Sequence, residues 1–483
     1  MIMRAIFLGF LMCGLLQVRA QMKATCWLTD PARQIFFTQQ PPEHVAPWDP
    51  RQDTIATRVD LLIRVDARQT YQSIDGYGWA LTGGSAQHII HMSAPARAAL
   101  LKDLFSVKDN HIGGSYLRIS IGASDLNDHV FSYDDLPAGE TDTSLSHFDL
   151  GPDRKDVIPV LKEILTIYPG LKIVGSPWSA PTWMKTNNDT RGGSLKPAYY
   201  ATYARYFVKY IRAMEKEGIR LDAITVQNEP LHPGNNPSMY MPAPEQAAFV
   251  KGFLGPAFKQ AGIKTRIIIY DHNCDKPEYP ISILDDPEAR RYIDGSAFHL
   301  YGGTIDAMSK VHDAYPSKNL YFTEQWVGAP GDLSKDIPEH IENLIIGATR
   351  NWSRNVIEWN LAADPDNNPH TDRGGCDRCL GAVTIDGDKV THNPAYYIVA
   401  HAAKFVRPGS VRIASELQTG GPAGSAAIAG GGLLPNVAFR TPAGKTVLIV
   451  LNKSDSAQSF TVQDNKGIAT QTLGAGAVAT YIW

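Results

Sequence analysis

Short apolar runs rich in β-branched residues alternate with amphipathic stretches from about residue 74 to residue 400. Runs that are apolar at almost every position are typical of strands in a parallel sheet covered on both faces. The stretches between them have a helical period. In residues 197–218, for example, Tyr199, Tyr203 and Tyr206 recur at helical spacing and Gly218 is a natural stop. Eight strand–helix units predict an α/β fold, a (β/α)8 TIM barrel, and the alternative is a doubly wound sheet. The predicted strands are residues 74–82, 115–121, 171–177, 223–227, 266–270, 295–301, 319–323 and 355–360.

The two flanks of this region have a different pattern. Residues 21–73 contain short alternating runs, and after about residue 405 the helical period disappears. Apolar runs separated by Gly-rich turns near the C-terminus read as antiparallel strands. We therefore expect an appended antiparallel β-sandwich, built mainly from residues 401–483 and joined by strands from residues 21–73. The barrel is expected to occupy residues 74–400.

The chain is long enough for more than one domain, and its charges are nearly balanced. It has 483 residues and a net charge of −3, which argues against a nucleic-acid partner or a basic membrane patch. Residues 1–20 combine one arginine near the start (Arg4), a short apolar core and a small last residue, and this is typical of a cleavable signal peptide. We expect a secreted or periplasmic protein with no stable membrane anchor.

Cysteine usage is consistent with export. Cys376 and Cys379 lie three residues apart, and in an exported protein a local disulfide is the first interpretation. A zinc half-site with His370 as a third ligand is the competing interpretation, although a fourth ligand is not obvious.

The candidate catalytic residues lie at the carboxyl ends of the predicted strands, where barrel enzymes place their active groups. Glu229 ends the fourth strand and Glu324 follows the seventh, so the two carboxylates are expected to face each other across the barrel mouth. A pair of carboxylates flanked by aromatic rings is what glycoside cleavage requires. Barrel carboxylates also serve metal-dependent hydrolases, but those need several histidines, and His299 alone does not supply them. We expect no metal and no cofactor.

Several motifs, in order, then resemble one family. SPWSAPTWMKTN at 176–187, VQNEP at 226–230, YFTEQWVG at 321–328 and EWNLA at 358–362 are similar to glycoside hydrolase family 30, the acid β-glucosidase or glucosylceramidase family. IDGYGWALT at 74–82 and LRISI at 117–121 look like that family's first two barrel strands. The matches cover about residues 70–410.

The resemblance implies a role for each matching residue. Glu229 would be the general acid/base and Glu324 the nucleophile of a retaining double displacement, and Asn228 would bind the sugar's 2-hydroxyl. The resemblance also implies that Asp125, Trp178 and Trp359 hold glucose hydroxyls and that Arg118, His299 and Tyr301 surround the nucleophile.

Simpler structural roles are open for some of these residues. Arg118 and Asp125 could merely pair with each other. We assign Trp183 and Trp326 to the core and Glu358 to a structural role on strand eight.

The expected substrate is a carbohydrate or glycoconjugate with a β-D-glucosidic bond, of the glucosylceramide or β-1,6-glucan type. Alternatives on the same scaffold are β-xylosidase or β-fucosidase activity, or a non-catalytic carbohydrate-binding barrel. The tryptophan following the nucleophile and the cysteine loop depart from the vertebrate lysosomal pattern, so ceramide is not implied. We also expect the charge of Glu324, with burial, to hold the pKa of Glu229 above that of Glu324.

Overall fold

The computed structural model describes residues 24–41, 61–419, 426–427, 432–465 and 467–483. The predicted signal peptide at residues 1–20 lies outside the described residues. In the described part of the chain, no helix is both long enough and apolar enough to span a membrane.

Strands and helices are numbered in chain order. The strands are β1 (Thr25–Asp30), β2 (Ile35–Gln39), β3 (Leu61–Ser73), β4 (Gly76–Leu81), β5 (Tyr116–Ser120), β6 (Lys172–Ser176), β7 (Ala223–Thr225), β8 (Arg266–Cys274), β9 (Ile293–Gly303), β10 (Asn319–Glu324), β11 (Val327–Gly328), β12 (Ser353–Glu358), β13 (Ala362–Ala363), β14 (Cys379–Leu380), β15 (Val383–Asp386), β16 (Lys389–His392), β17 (Val411–Thr419), β18 (Ala426–Ala427), β19 (Asn436–Arg440), β20 (Thr446–Leu451), β21 (Gln458–Asp464), β22 (Gly467–Leu473) and β23 (Val478–Ile482). The α-helices are α1 (Gly83–His91), α2 (Ala94–Phe105), α3 (Val157–Ile167), α4 (Tyr200–Lys216), α5 (Ala243–Phe249), α6 (Gly255–Ala261), α7 (Glu278–Asp285), α8 (Pro287–Arg290), α9 (Ala307–Ala314), α10 (Leu333–His340) and α11 (Pro394–Ala403). The π-helical segments are Val250–Leu254 and Ile341–Ala348.

Eight parallel strands close into a barrel in the order β10-β12-β4-β5-β6-β7-β8-β9. Each of these strands overlaps one of the eight predicted runs, so the predicted (β/α)8 fold is confirmed. Seven of the eight barrel strands each contribute one side chain to a buried apolar cluster. This cluster fills the barrel, as the stacked layers of side chains do in this fold. The cluster consists of Tyr116, Val174, Ala223, Ile268, Ala297, Tyr321 and Ile357.

The helices cover the outside of the barrel through one apolar face each. In α4 two tyrosines of the predicted stripe, Tyr203 and Tyr206, are at most 1% exposed, and Tyr210, one turn further on, is also buried. Tyr199 precedes the helix and is half-buried. The chain leaves this helix at Gly218, whose φ of 83° favours glycine.

The β-sandwich domain combines both ends of the chain, and this part of the fold prediction is also confirmed. Its strand order is β2-β1-β23-β20-β19-β17-β3-β21-β22. The N-terminal strand β1 pairs antiparallel with the last strand, β23, and β3 pairs antiparallel with β17. Alternating apolar residues from these strands form a second buried core, which includes Ile63, Leu448 and Tyr481.

Candidate active site

The two predicted carboxylates lie at one end of the barrel. Glu324 is the last residue of β10, and Glu229 follows β7 in a turn where its own φ is 42°. The Glu229 amide donates to the Asp271 carbonyl at 3.0 Å, which fixes that turn. An oxygen of Glu229 lies within 4.8 Å of an oxygen of Glu324, with a His299 ring nitrogen within the same distance of both. The fold therefore places the predicted pair face to face.

Arg118 anchors the Glu324 side of the pair. Its Nη1 donates to Glu324 Oε2 at 2.5 Å, and Tyr301 donates its hydroxyl to Glu324 Oε1 at 3.0 Å. Arg118 Nη2 also donates to Asn228 Oδ1 at 2.7 Å. Arg118 is fully buried and its charge is balanced by carboxylates other than Asp125. The proposed simple pairing of Arg118 with Asp125 is therefore wrong.

Asp271 is a site residue that the sequence did not indicate. It lies in β8, which continues past the predicted end at residue 270 to Cys274, and both Tyr270 and Asp271 have positive φ at a break in register. Burial alone would raise the pKa of Asp271, but the Arg118 charge and the His299 contact hold it well below its usual range. Its carboxylate contacts Arg118 (2.8 Å), Ser176 (2.7 Å), Thr225 (2.7 Å), Thr323 (2.7 Å) and His299 (3.1 Å).

His299 stands between the carboxylates. Its Nε2 is 3.1 Å from Asp271 Oδ1, its Nδ1 is 3.3 Å from Glu229 Oε1, and the same Nδ1 is 3.9 Å from Glu324 Oε1. Burial opposes the charged ring, but the carboxylates, led by Glu324, raise the pKa of His299 to about 9. The ring is therefore an imidazolium at neutral pH.

This imidazolium reverses the expected order of the two glutamate pKa values. Burial raises the pKa of Glu229, but the hydrogen bond and charge of His299 more than offset it, and the pKa lies below its ordinary value. Burial, together with the charge of Glu229, raises the pKa of Glu324 against the opposing charges of His299 and Arg118. The prediction that Glu229 would have the higher pKa is wrong, because it considered the charge of Glu324 and not the intervening cation.

A cavity of about 330 Å³ opens above the carboxylates. The rings of Trp178 and Trp359 are stacked with centroids 5.4 Å apart, and of the two only Trp359 lines the cavity. Trp178 is 2% exposed, and the Arg118 guanidinium lies over its ring, 4.7 Å from the centroid. The cavity is lined by Asp125, Glu229, His232, Asn235, Asn273, Tyr301, Glu324, Trp326, Trp359, Cys376 and Cys379.

Two tryptophans assigned to the core occupy different places. Trp183 is buried and donates its indole N–H to the Asp134 carbonyl, as a core residue does. Trp326 instead forms part of the cavity wall, so its core assignment is wrong. Glu358 is fully buried outside the cavity and contacts His340 of α10 at 2.8 Å, which agrees with a structural role.

Asp125 lies in the cavity wall beside the cysteine loop. Burial first, and then the charges of Glu324 and Glu229, raise the pKa of Asp125 to about 7. The backbone amide of Cys376 partly opposes this rise in the pKa of Asp125. Cys376 and Cys379 form a disulfide, and both line the cavity. His370 directs its Nδ1 toward the Thr371 carbonyl rather than joining the cysteines as a zinc ligand.

Glu229, His299 and Glu324 are the one group of potential metal ligands at this site in the described part of the chain. Arg118 already holds one oxygen of Glu324 at 2.5 Å, and a fixed guanidinium opposes a second cation there. The arrangement instead suits proton transfer and nucleophilic attack by carboxylates in a site where buried charges are balanced.

Comparison with known proteins agrees with this geometry. Residues 74–406 match the "Glycosyl hydrolase family 30 TIM-barrel domain" and residues 409–481 match the "Glycosyl hydrolase family 30 beta sandwich domain". Endo-1,6-beta-D-glucanase neg1 of Aspergillus fumigatus is 35% identical over 417 residues, covering 82% of each chain. Lysosomal acid glucosylceramidase of Mus musculus is 30% identical over 455 residues, covering 88% of this chain and 84% of its own. The solved structure of the endo-beta1,6-glucanase BT3312 superposes with a TM-score of 0.84 at 33% identity, covering 96% of this chain and 99% of that chain.

Proposed function

Because the chain belongs to glycosyl hydrolase family 30, we propose that this glycoside hydrolase cleaves β-1,6-linked glucan with retention of configuration. The observation that carries the proposal is the approach of Glu229 and Glu324, whose oxygens lie within 4.8 Å of each other. Retaining enzymes hold their two carboxyl groups about 5 Å apart, whereas inverting enzymes leave about 6.5–9.5 Å for a water molecule.

In the first step Glu324 attacks the anomeric carbon while Glu229 protonates the leaving oxygen. Arg118 and Tyr301 contact the two oxygens of Glu324, so they orient the nucleophile for attack. The proton that His299 and Glu229 share lies on His299 in the free site, and it can pass through Glu229 as charge develops on the leaving oxygen, because His299 Nδ1 is 3.3 Å from Glu229 Oε1. Below a pH of about 9 this His299–Glu229 pair holds a proton that can be passed to the leaving group.

In the second step Glu229 removes a proton from the attacking water, and the water releases the sugar from Glu324. A carboxylate whose pKa lies below its ordinary value is ionised at neutral pH, as a general base must be. Asn228 is fixed beside the nucleophile by Arg118, which supports a role in binding the sugar's 2-hydroxyl. Trp359 and Asp125 line the cavity and would contact the ring and its hydroxyls.

A direct test of these roles is azide rescue. Glu324→Ala should lose turnover of an aryl β-glucoside and regain it with azide as the α-glycosyl azide. Glu229→Ala should be rescued through the covalent intermediate and give the β-glycosyl azide. The matched control is Glu358→Gln, a buried strand-end glutamate outside the cavity, which should keep its rate per folded molecule. Exchange of the two azide products would overturn the assignment.

The substrate is tested separately by product analysis. The relatives named as endo-1,6-beta-D-glucanases support β-1,6-glucan, and the named glucosylceramidases make glucosylceramide the second candidate. Purified enzyme should release gentio-oligosaccharides from β-1,6-glucan faster than it cleaves glucosylceramide, aryl β-xyloside or aryl β-fucoside. Faster cleavage of any of the other three would replace the proposed substrate but leave the mechanism intact.

We also propose that the protein is exported after removal of residues 1–20. The apolar core and small residue at this end support the proposal. N-terminal sequencing of the protein recovered outside the cytoplasm should begin at Gln21. Recovery of the intact chain from the cytoplasm alone would contradict it.

A further inference from the structure

The long connection between β5 and α3 gathers three potential metal ligands away from the active site. Asp134, Asp142 and His147 each direct one ligand atom into a common region, and these atoms lie within 4.8 Å of one another. Two ligands about 2.0–2.1 Å from a tetrahedral ion are about 3.4 Å apart, so small side-chain movements would complete the arrangement.

Asp134 is the unusual member of this group. The residue is 1% exposed, and neither carboxylate oxygen has a hydrogen-bond partner among the described residues. Removing an ionised carboxylate from water without a partner costs several kcal/mol, so such a group normally binds a proton or a cation. One oxygen of this carboxylate lies within 4.8 Å of the ligand atoms of Asp142 and His147.

Asp142 is held rigidly beside it. Its Oδ1 accepts from the Ser144 amide at 3.1 Å and hydroxyl at 2.6 Å. Its Oδ2 accepts from the Ser146 hydroxyl at 3.0 Å and the His147 amide at 2.8 Å. The His147 ring lies 3.0 Å from the same oxygen, but 67% of its side chain is exposed, so the ring can turn toward an incoming ion.

The Lys209 ammonium does not pair with this group. This ammonium donates to the Leu145 carbonyl and lies 5.5 Å from the Phe148 ring centroid, so it is not bonded to Asp134. The Asp134 carboxylate therefore has no hydrogen-bonded cation among the residues that the structure describes.

We propose that Asp134, Asp142 and His147 bind a divalent transition-metal ion of the zinc class. Two carboxylates and one imidazole are ligands that Zn²⁺ accepts, with water in the fourth position. The ion would link the two ends of residues 134–147 and stabilise a loop that supports the active site. The Asp134 carbonyl accepts from Trp183 at 2.9 Å, and Trp183 lies in the loop after β6 that also carries Trp178.

The test is a calorimetric titration of ZnCl2 into full-length protein that has been treated with a chelator and dialysed. A Glu324→Gln background removes one ligand from the separate cluster at the active site. In that background we expect one Zn²⁺ bound per chain. His147→Ala should weaken binding at least about tenfold, since even outer-sphere partners of metal ligands contribute that much. His129→Ala, an exposed histidine of the same connection, is the matched control and should bind normally.

Thermal unfolding gives a second readout. Zn²⁺ should raise the Tm of the background protein and of His129→Ala, but not that of Asp134→Asn or His147→Ala. The comparison uses the zinc-dependent shift, because Asp134→Asn by itself removes an uncompensated buried charge and can raise the Tm. Equal zinc binding by the background protein and His147→Ala, or no zinc binding by either, would overturn the proposal. Saturation by Ca²⁺ but not by Zn²⁺ would overturn the assigned metal class.

Discussion

Replacing Asp271 by asparagine should destabilise the barrel far more than the same change at another buried aspartate. The Asp271 carboxylate accepts hydrogen bonds from the Arg118 guanidinium and three hydroxyls, and it contacts the His299 imidazolium. An amide turns one acceptor oxygen into a donor, so at least two of these donors lose their acceptor in either orientation. Arg118 and His299 then lose the negative charge that lies between them.

The size of the effect follows from the burial of the ion pair. Arg118 and Asp271 both have side chains that are 0% exposed. Removing one partner of a buried ion pair costs about 3–5 kcal/mol, because the other charge is left without compensation. The low pKa of Asp271 means that its stabilising effect is present above the ordinary value of 3.8 and is lost as the pH falls. We therefore expect about 3–5 kcal/mol at pH 6 and a smaller difference below pH 3.8.

Asp153→Asn is the matched control. Asp153 is 4% exposed and accepts from the Tyr133 hydroxyl at 2.5 Å, but burial raises its pKa to about 8. At pH 6 Asp153 is protonated in the folded state and ionised in the unfolded state. The folded state therefore loses stability relative to the unfolded state as the pH rises above 3.8. The difference between pH 6 and 3.8 corresponds to about 3 kcal/mol at about 1.4 kcal/mol per pH unit. The asparagine variant should therefore be neutral or more stable by up to this amount.

The assay is urea unfolding of wild type and both variants at pH 6, followed by tryptophan fluorescence. We expect the midpoint of the barrel transition to fall in Asp271→Asn and to stay or rise in Asp153→Asn. A change of less than about 1 kcal/mol in Asp271→Asn would show that hydrogen bonds of this site tolerate a neutral acceptor. Equal losses in both variants would show that burial of the side chain, and not its charge, decides the outcome.

Three further predictions concern catalysis. The value of kcat/KM should fall as the pH rises through about 9, where His299 loses its proton, and a profile that stays flat to pH 10 would contradict a role for the imidazolium. Replacing Cys376 and Cys379 together by serine should raise KM for β-1,6-glucan about fivefold, equivalent to about 1 kcal/mol, because the loop would no longer keep the Cys376 amide beside Asp125. An unchanged KM would show that the loop is held without the disulfide. Trp326→Ala should lower kcat/KM for glucan by about fivefold to tenfold, and less for an aryl glucoside, because it removes one aromatic wall of the cavity.

The pattern of residues along the chain was sufficient for the barrel and for the main pair of carboxylates. Eight apolar runs separated by helical stretches specify eight parallel strands, because a strand buried on both faces must be apolar at most positions. Since the carboxyl ends of barrel strands meet at one face, Glu229 and Glu324 could be placed together from sequence alone. The apolar runs near both termini likewise indicated strands of one sandwich.

The local pattern did not indicate the partners that determine the charge states of this pair. Asp271 follows the predicted end of a strand, and it reaches the site only because β8 continues through two residues with positive φ. His299 was expected near the nucleophile, but its position between Glu229 and Asp271 is a contact between distant strands. This position reversed the expected order of the glutamate pKa values.

The same limit applies to Trp326 and to Asp134. Both belong to short segments without a distinctive period, and their neighbours in sequence do not determine whether the side chain faces a cavity, a core or other carboxylates. The period of the apolar residues and the residue types determine which strands and helices form and which residues lie at their ends. Burial and electrostatic interaction depend on distances between residues far apart in the chain, and only the closed barrel with its packed loops fixes those distances.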